Sequence, residues 1–126
     1  MKLNIDCMRA VLLELEKVPF GEDLRINDLK LSLSDYSPDD VDYSCIMLDQ
    51  AGYIDALIRS YESRSLVLLI SDITFTGHQF LANIKNDNNW VKIKEKLQVV
   101  GSTSLDIVSQ VAVGVATSVI RSSLGV

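Results

Sequence analysis

The first apolar residues of the chain recur at helical spacing. The four that set the pattern are Ile5, Met8, Leu12 and Leu15. A spacing of three or four residues places side chains on one face of a helix. Asn4 suits the N-cap position, and Pro19 and Gly21 interrupt the pattern. We therefore predict a first helix from about Asn4 to Val18.

Three later stretches have the composition of β-strands. Leucine occupies every second position of the range 29–33, and alternation over this length is typical of a short strand. Two further β-prone runs, 53–59 and 66–73, are separated by the polar residues 60–65. They predict a hairpin with a loop slightly longer than the tightest turns.

The segment from Ser37 to Gly52 is marked as a helix at both ends. Ser37 suits the N-cap and Pro38 the first helical position. Asp39 and Asp40 lie in the first turn, where the helix dipole favours negative charge. Gly52 suits the position just beyond the last turn, because glycine adopts the left-handed conformation there without strain. We predict that this is the second helix of the fold.

The residues that follow the predicted hairpin indicate three helices. Thr76 and Gln79 have the spacing of a capping box, with Thr76 as the N-cap. Asn88 or Asn89 begins the next helix, which stops near Gly101. A further box over 103–106 opens a last helix that reaches about residue 122.

The order of these elements predicts an α+β fold. Helix, short strand, helix and β-hairpin follow one another, and this is the order of a winged-helix-like domain in which the hairpin is the wing. We assign this domain to residues 1–100. Residues 101–126 then form a separate apolar C-terminal helix that serves in oligomerisation or as a core helix.

The last helix is apolar around most of its circumference. On a helical projection its larger polar residues share a sector of roughly 80°. They are Asp106, Gln110, Thr117 and Arg121. A helix of this kind is either wrapped by its own domain or shared with another subunit. We predict a homo-oligomer, with close approach helped by the small-residue pairs Ala112/Ala116 and Gly114/Ser118. The predicted interface is Leu105, Val108, Val111, Ala112, Val115, Val119 and Ile120.

Composition and charge indicate where the protein acts and which partners it disfavours. The 126 residues carry a net charge of −5, so the whole molecule is repelled by nucleic acid and by anionic lipid. The N-terminus has an acid at Asp6 and no apolar export signal, and we expect a cytoplasmic protein. The range 105–120 is too short and too polar to predict a membrane span. Cys7 and Cys45 are predicted to be reduced thiols in the core.

The sequence predicts no enzyme, no cofactor and no metal site. His78 is the only histidine, and no nucleophilic or acidic residue stands at a sequence spacing from it that is typical of a catalytic site. A structural role for His78 is therefore the favoured interpretation. The chain has six glycines and no glycine-rich loop that could hold a phosphate.

The predicted helix 37–52 is a poor candidate for reading DNA. The range 35–55 contains six aspartates and neither lysine nor arginine. Each aspartate held about 5 Å from a phosphate costs roughly 0.8 kcal/mol in a water-like dielectric, before salt screening. Its candidate partner-binding residues are Asp39, Asp42 and Asp49, which could present a DNA-like acidic surface to another protein. The alternative is a DNA-binding surface elsewhere, made of Arg59, Tyr61, Arg64, Lys92 and Lys96.

Several segments resemble one protein family. The range 73–85 reads ITFTGHQFLANIK, and it continues to Trp90 and to Ile93-Lys94-Glu95-Lys96. This is similar to a "LTxxGHxFLxxI…W…K" core in the family known as domain of unknown function 2513, whose members are short and often prophage-associated. The range 51–54 and the opening range 2–16 fit the same family. Ser44 departs from it, because a histidine is expected there. The resemblance implies a winged-helix-like fold and a mobile-element setting, and it implies no activity.

We therefore expect a non-enzymatic protein-interaction module of phage or mobile-element origin. It would be oligomeric through its C-terminal helix and would act on a host or phage protein with a regulatory or defence role. The alternative is a dimeric winged-helix transcriptional regulator that binds DNA through its wing and a basic helix. The two hypotheses predict opposite responses to duplex DNA at low salt.

Overall fold

The computed structural model of the chain describes residues 1–125, which form two compact units. The first spans Met1–His78 and the second begins at Gln79. The first unit contains α1 (Ile5–Glu16), β1 (Leu24–Arg25), α2 (Ile26–Ser32), α3 (Pro38–Gln50), β2 (Ile54–Tyr61) and β3 (Arg64–Ile73). The next helix, α4 (Phe75–Ile84), begins in the first unit and ends in the second. The second unit continues with α5 (Asp87–Val100) and α6 (Leu105–Leu124). This boundary lies earlier in the chain than the division after residue 100 that we drew from the sequence.

The first unit has the predicted α+β, winged-helix-like architecture. Its three strands form one antiparallel sheet in the order β1-β3-β2, and β2 and β3 are the wing hairpin. The core is supplied by the buried faces of α1, α2 and α3 together with one face of the sheet. Its largest fully buried side chains include Met8, Leu12, Leu29, Leu48, Ile54 and Ile70.

The strand predicted at 29–33 is wrong, because this segment belongs to a helix. Ile26, Leu29 and Leu33 are buried at helical spacing, whereas Leu31 is 77% exposed. A strand of this length would place Leu31 on the same face as Leu29 and Leu33, so the alternation of leucines was misleading. The strand that completes the sheet is β1, which pairs Leu24 with Ile70 of β3. With α2 in place, α3 is the third helix of the winged-helix order.

The ends of α1 and α3 follow the predicted capping chemistry. The side chain of Asn4 accepts a hydrogen bond from the Cys7 backbone N–H at 3.1 Å. That of Ser37 accepts one from the Asp40 backbone N–H, also at 3.1 Å. Gly52 follows α3 with a φ of 78°, the left-handed conformation expected after a helix.

The wing turn is tighter than predicted. Tyr61 pairs with Arg64, so only Glu62 and Ser63 lie between the strands. The prediction of a longer loop is wrong because the polar residues at 60 and 65 continue the ladder rather than ending it. Glu62 occupies the turn with a φ of 55°.

Two irregularities in the hairpin shape its buried face. The register shifts between Asp55 and Ala56 and again between Leu57 and Ile58. An extra residue in one strand turns the side chains that follow it to the other face. As a result Val67, Ile70 and Ile73 of β3 are all buried, although they stand three residues apart.

The predicted starts of the later helices are each displaced by one to three residues. The Thr74 hydroxyl, not that of Thr76, accepts the N-cap hydrogen bond, from the Gly77 backbone N–H at 3.0 Å. Asn86 caps α5 in place of Asn88 or Asn89, and Ser104 caps α6. Neighbouring Thr, Asn and Ser residues are all competent caps, so composition alone could not choose among them. α5 ends before Gly101, as predicted.

Candidate functional site

The acidic helix α3 packs on the core through one face and presents the other to solvent. Its buried residues are Val41, Ser44, Cys45 and Leu48. On the opposite side Asp39 and Gln50 are exposed, and Tyr43 and Ile46 are partly exposed. This outward face therefore combines an aromatic and an aliphatic side chain with a carboxylate and an amide, and it carries no basic residue.

Asp42 is held by a lysine of the preceding helix. Its Oδ2 lies 2.9 Å from the Lys30 Nζ, and the two side chains are 28% and 26% exposed respectively. The Asp42 Oδ1 is buried and has no hydrogen-bond partner among the described residues. The Lys30 ammonium is therefore the group that offsets the cost of holding this carboxylate partly out of water.

Asp49 joins the end of α3 to the first strand of the wing. Its Oδ1 accepts a hydrogen bond from the Ala56 backbone N–H at 3.1 Å. Ala56 adjoins one of the register shifts in the hairpin, where the ladder is irregular. Asp40 is placed in a similar way, because its Oδ2 accepts a hydrogen bond from the Asn4 side chain at 3.3 Å.

The three predicted partner-binding carboxylates differ in what they contact. Asp39 is exposed, whereas Asp42 and Asp49 serve contacts within the first unit. Two of the three candidate partner-binding residues therefore also make contacts that hold the fold together. The pairing groups, Lys30 and the Ala56 N–H, lie in other elements, so the acidity of α3 alone could not reveal them.

The three predicted wing residues come together at one end of the hairpin. Tyr61 stands opposite Arg64, and Arg59 stands opposite Leu66. Residues paired across antiparallel strands share a face of the sheet. Both arginines are exposed, Tyr61 is 74% exposed and Leu66 is 54% exposed. We call Arg59, Tyr61, Arg64 and Leu66 the wing patch.

Lys92 and Lys96 lie one turn apart on α5 and are exposed. They line a groove of about 170 Å³ together with Val115, Ser118 and Val119 of α6. The five residues of the predicted DNA-binding alternative thus form two groups. The wing patch belongs to the first unit, and the two lysines belong to the second.

α6 uses part of its predicted interface inside its own chain. Val108, Ala112 and Val115 are buried, and α6 packs against α5. Leu105, Val111 and Val119 are only partly buried, and Ile120 is 59% exposed. Further exposed aliphatic residues of this helical pair are absent from the predicted interface, namely Val91, Val99, Val100, Val113 and Leu124. The valines on α5 do not share the helical spacing of its buried residues Trp90, Ile93 and Leu97. Their position outside that stripe could have identified them as exposed from the sequence.

α6 is also longer than the apolar range considered in the sequence. It runs for 20 residues, and its most apolar window of 18 residues has a mean hydropathy of 1.4, with 17% of that window buried. By length and composition alone it could cross a membrane, so the expectation that it is too short is wrong. Core helices of soluble proteins meet the same criterion, and the criterion carries little weight for one helix.

The two cysteines are free and buried, as predicted. Burial raises the pKa of Cys45 to about 12, and the nearby carboxylate of Asp42 acts in the same direction. Burial also raises the pKa of Cys7, against a smaller lowering by the Ser44 hydroxyl. A thiol that stays protonated near neutral pH is a poor nucleophile. Position 44, where the family resemblance called for a histidine, is fully buried and so faces the core.

His78 lies exposed in the second turn of α4, two residues further into the helix than predicted. It borders a cavity of about 230 Å³ whose walls also include Glu16, Glu22 and Asp72. Among residues 1–125, no three histidine, cysteine or acidic side chains are grouped so that they could hold a metal ion.

Comparison with known proteins gives the chain its family. The profile of the family described as hypothetical protein (DUF2513) matches residues 2–103. A protein of Haemophilus influenzae (strain Rd), described as uncharacterized, is 32% identical over 114 residues, which cover 89% of this chain and 92% of that protein. The chain therefore belongs to the domain of unknown function 2513 family. The match takes in the first unit from Lys2 onward together with α4 and α5, and it ends just before α6.

Proposed function

We propose that this family member is a non-enzymatic protein-interaction module that forms homo-oligomers through its C-terminal helices. The observation that carries the first part is the outward face of α3. In a winged-helix DNA reader this helix would supply positive charge to phosphates. Here it offers Tyr43, Ile46 and Gln50 beside the carboxylate of Asp39.

The composition of that face suits a protein partner. Aromatic residues are enriched at protein interfaces, where they bring a large apolar surface together with a polar group. The carboxylate of Asp39 favours a basic residue on the partner, since opposite charges steer association. The partner would be a host or phage protein with a regulatory or defence role, and the module would act in the cytoplasm.

The oligomer is supported by the apolar surface that remains on α5 and α6. Val99 is 89% exposed and Val100 53%, and both line one open groove together with Val111 of α6. Contiguous apolar surface on a soluble protein commonly marks a contact with another molecule. The residues that remain available on α6 are those outside its buried stripe of Val108, Ala112 and Val115.

Site-specific photo-crosslinking in the cells that carry the protein tests the partner face. A photoreactive residue in place of Gln50 is expected to give one discrete product with a second protein. The matched control is the same residue in place of Glu22, which is exposed in the first unit and lies outside α3. A Gln50 product that does not exceed the Glu22 control, or one that consists of nucleic acid, would contradict the proposal.

A second candidate function is supported by the wing patch. Two exposed arginines flank an exposed tyrosine, and arginine on a wing can enter the minor groove of DNA. The protein would then be a dimeric transcriptional regulator that holds DNA through the wing rather than through α3. The double substitution Arg59→Ala/Arg64→Ala should abolish such binding. It should have no effect on crosslinking through Gln50.

A further inference from the structure

α5 and α6 leave an open apolar groove along one side of the pair. Its volume is about 480 Å³, and it is lined by Lys96, Val99, Val100, Val111, Gly114 and Ser118. Val99 and Val100 are 89% and 53% exposed. The groove is therefore a hydrophobic surface that the second unit does not cover.

One stripe of α6, which includes the groove-lining residues Val111, Gly114 and Ser118, has an ordered distribution of large and small side chains. Ile107, Val111, Gly114 and Ser118 are spaced by four, three and four residues, which places them in one stripe along the helix. The two larger residues stand toward the N-terminal end of the stripe, and the two small ones toward the C-terminal end. We call these four residues the α6 stripe.

Gly114 has no evident role within its own chain. It lies in the interior of a 20-residue helix, where glycine is less favourable than any residue except proline. A Cβ atom added at Gly114 would meet no heavy atom within 4 Å. Close packing inside the described chain therefore does not require a glycine at this position.

We propose that α6 of a second copy of this chain fills the groove, packed antiparallel about a twofold axis near residues 112 and 113. The inference rests on the proposed homo-oligomer and specifies its interface. In this register Ile107 faces the partner's Ser118, and Val111 faces the partner's Gly114. The twofold axis repeats both contacts. Each large side chain thus meets a small residue, and the helices can interdigitate at close range.

Charge favours the same direction of packing. Asp106 lies in the first turn of α6 and Arg121 in its last turn, and both are exposed. In the antiparallel register Arg121 comes within two residues, or roughly 3 Å along the helix axis, of the partner's Asp106. A parallel pair would instead set Asp106 against Asp106 and Arg121 against Arg121.

The first test removes the close approach at Gly114 in the full-length chain. Gly114→Leu should weaken dimerisation by roughly tenfold to hundredfold, because added side-chain volume at a tight contact forces the helices apart. Its melting temperature as a monomer should not fall, since the site is open and leucine is the better helix former. Ser123→Leu is the matched control. It adds a leucine at an exposed position of the same helix on the side away from the α6 stripe, and it should sediment as the unaltered dimer does.

The second test reads the direction of packing by disulfide crosslinking. The double substitution Ile107→Cys/Ser118→Cys should give covalent dimers on mild oxidation. Ser118→Cys alone should not, because the two sulfurs would be roughly 16 Å apart in the antiparallel pair, beyond the reach of a disulfide. The native thiols of Cys7 and Cys45 are buried and should not interfere.

The outcomes separate this inference from the proposed function. If the dimer survives Gly114→Leu, or if Ser118→Cys alone crosslinks, the oligomer stands and this interface is overturned. If the full chain sediments as a monomer at all concentrations, both are overturned. The same follows if that monomer floats with vesicles of phosphatidylglycerol and phosphatidylethanolamine, because α6 then belongs to a lipid surface.

Discussion

The Nζ of Lys30 and the Oδ2 of Asp42 lie 2.9 Å apart and join α2 to α3. This pair explains why an acidic residue on α3 is compatible with the fold. It also gives Asp42, one of the candidate partner-binding carboxylates, a contact within the fold. The outward face of α3 carries Asp39, Tyr43, Ile46 and Gln50.

A double-mutant cycle on this pair should give a coupling free energy of about 0.5–1 kcal/mol, as expected for an ion pair that is partly exposed. The variants are Lys30→Ala, Asp42→Ala and the double substitution, measured by urea denaturation. The coupling should decrease in 1 M salt, because exposed charges are screened. A coupling of zero at low salt would mean that Lys30 does not stabilise the acidic helix.

Asp49→Ala should destabilise the first unit by about 1–2 kcal/mol. The substitution leaves the Ala56 backbone N–H without its acceptor, at a point where the hairpin register is irregular. Hydrogen exchange should speed up at the amide of Ala56 more than in the middle of α1. Asp39→Ala removes an exposed carboxylate of the same helix, and it should change the stability by no more than about 0.5 kcal/mol. Equal losses for the two variants would contradict a structural role specific to Asp49.

Gly77→Ala should be among the most destabilising single substitutions in the first unit. A Cβ atom at this position would overlap the Tyr53 carbonyl oxygen, which already accepts a hydrogen bond from the Thr74 N–H at 3.0 Å. The backbone of α4 would have to move, at a cost of about 2–3 kcal/mol or more. His78→Ala alters the exposed neighbouring residue and should leave the melting temperature nearly unchanged. An equally stable Gly77→Ala variant would contradict the close approach of α4 to Tyr53.

Stability should fall at alkaline pH because of Cys45. Burial raises the pKa of this thiol from its ordinary value of 9.0 to about 12. The folded state therefore keeps a proton that the unfolded chain releases, and the stabilisation is complete below pH 9 and lost progressively toward pH 12. Cys45 alone should contribute up to about 1.4 kcal/mol of loss per pH unit in this window.

The control for this prediction is Cys45→Ala, in which the fall between pH 9 and pH 11 should be shallower by that amount. The other ionisable groups are the same in both proteins, so the difference between the slopes isolates the thiol. Equal slopes would mean that Cys45 ionises in the folded state as easily as in the unfolded chain.

The sequence predicted the features of the fold that are governed by neighbouring residues. The caps at Asn4 and Ser37 and the glycine after α3 depend on side chains within a few positions, so their chemistry could be recognised directly. The range 29–33 was misassigned because a stretch this short fits a period of two as well as it fits a helix. Only the packing of Ile26, Leu29 and Leu33 into one core distinguishes the two.

The candidate site was less predictable because its contacts join distant elements. Lys30 lies 12 residues from Asp42, and the Ala56 N–H lies seven residues from Asp49, across the end of a helix. On α6 the sequence showed that the helix is too apolar for one packing partner. It could not show which stripe is already buried within the chain, and so the predicted interface included Val108, Ala112 and Val115.

The most direct test of the central claim is a titration of mixed-sequence duplex DNA with the intact protein at low salt. Non-specific binding by a DNA reader is strongest under these conditions and falls steeply as salt rises. If α3 and its surroundings form a protein-binding surface, fluorescence anisotropy of labelled duplex should stay flat at micromolar protein. Saturable binding that weakens with salt and disappears in Arg59→Ala/Arg64→Ala would contradict the claim and establish the wing as a DNA contact.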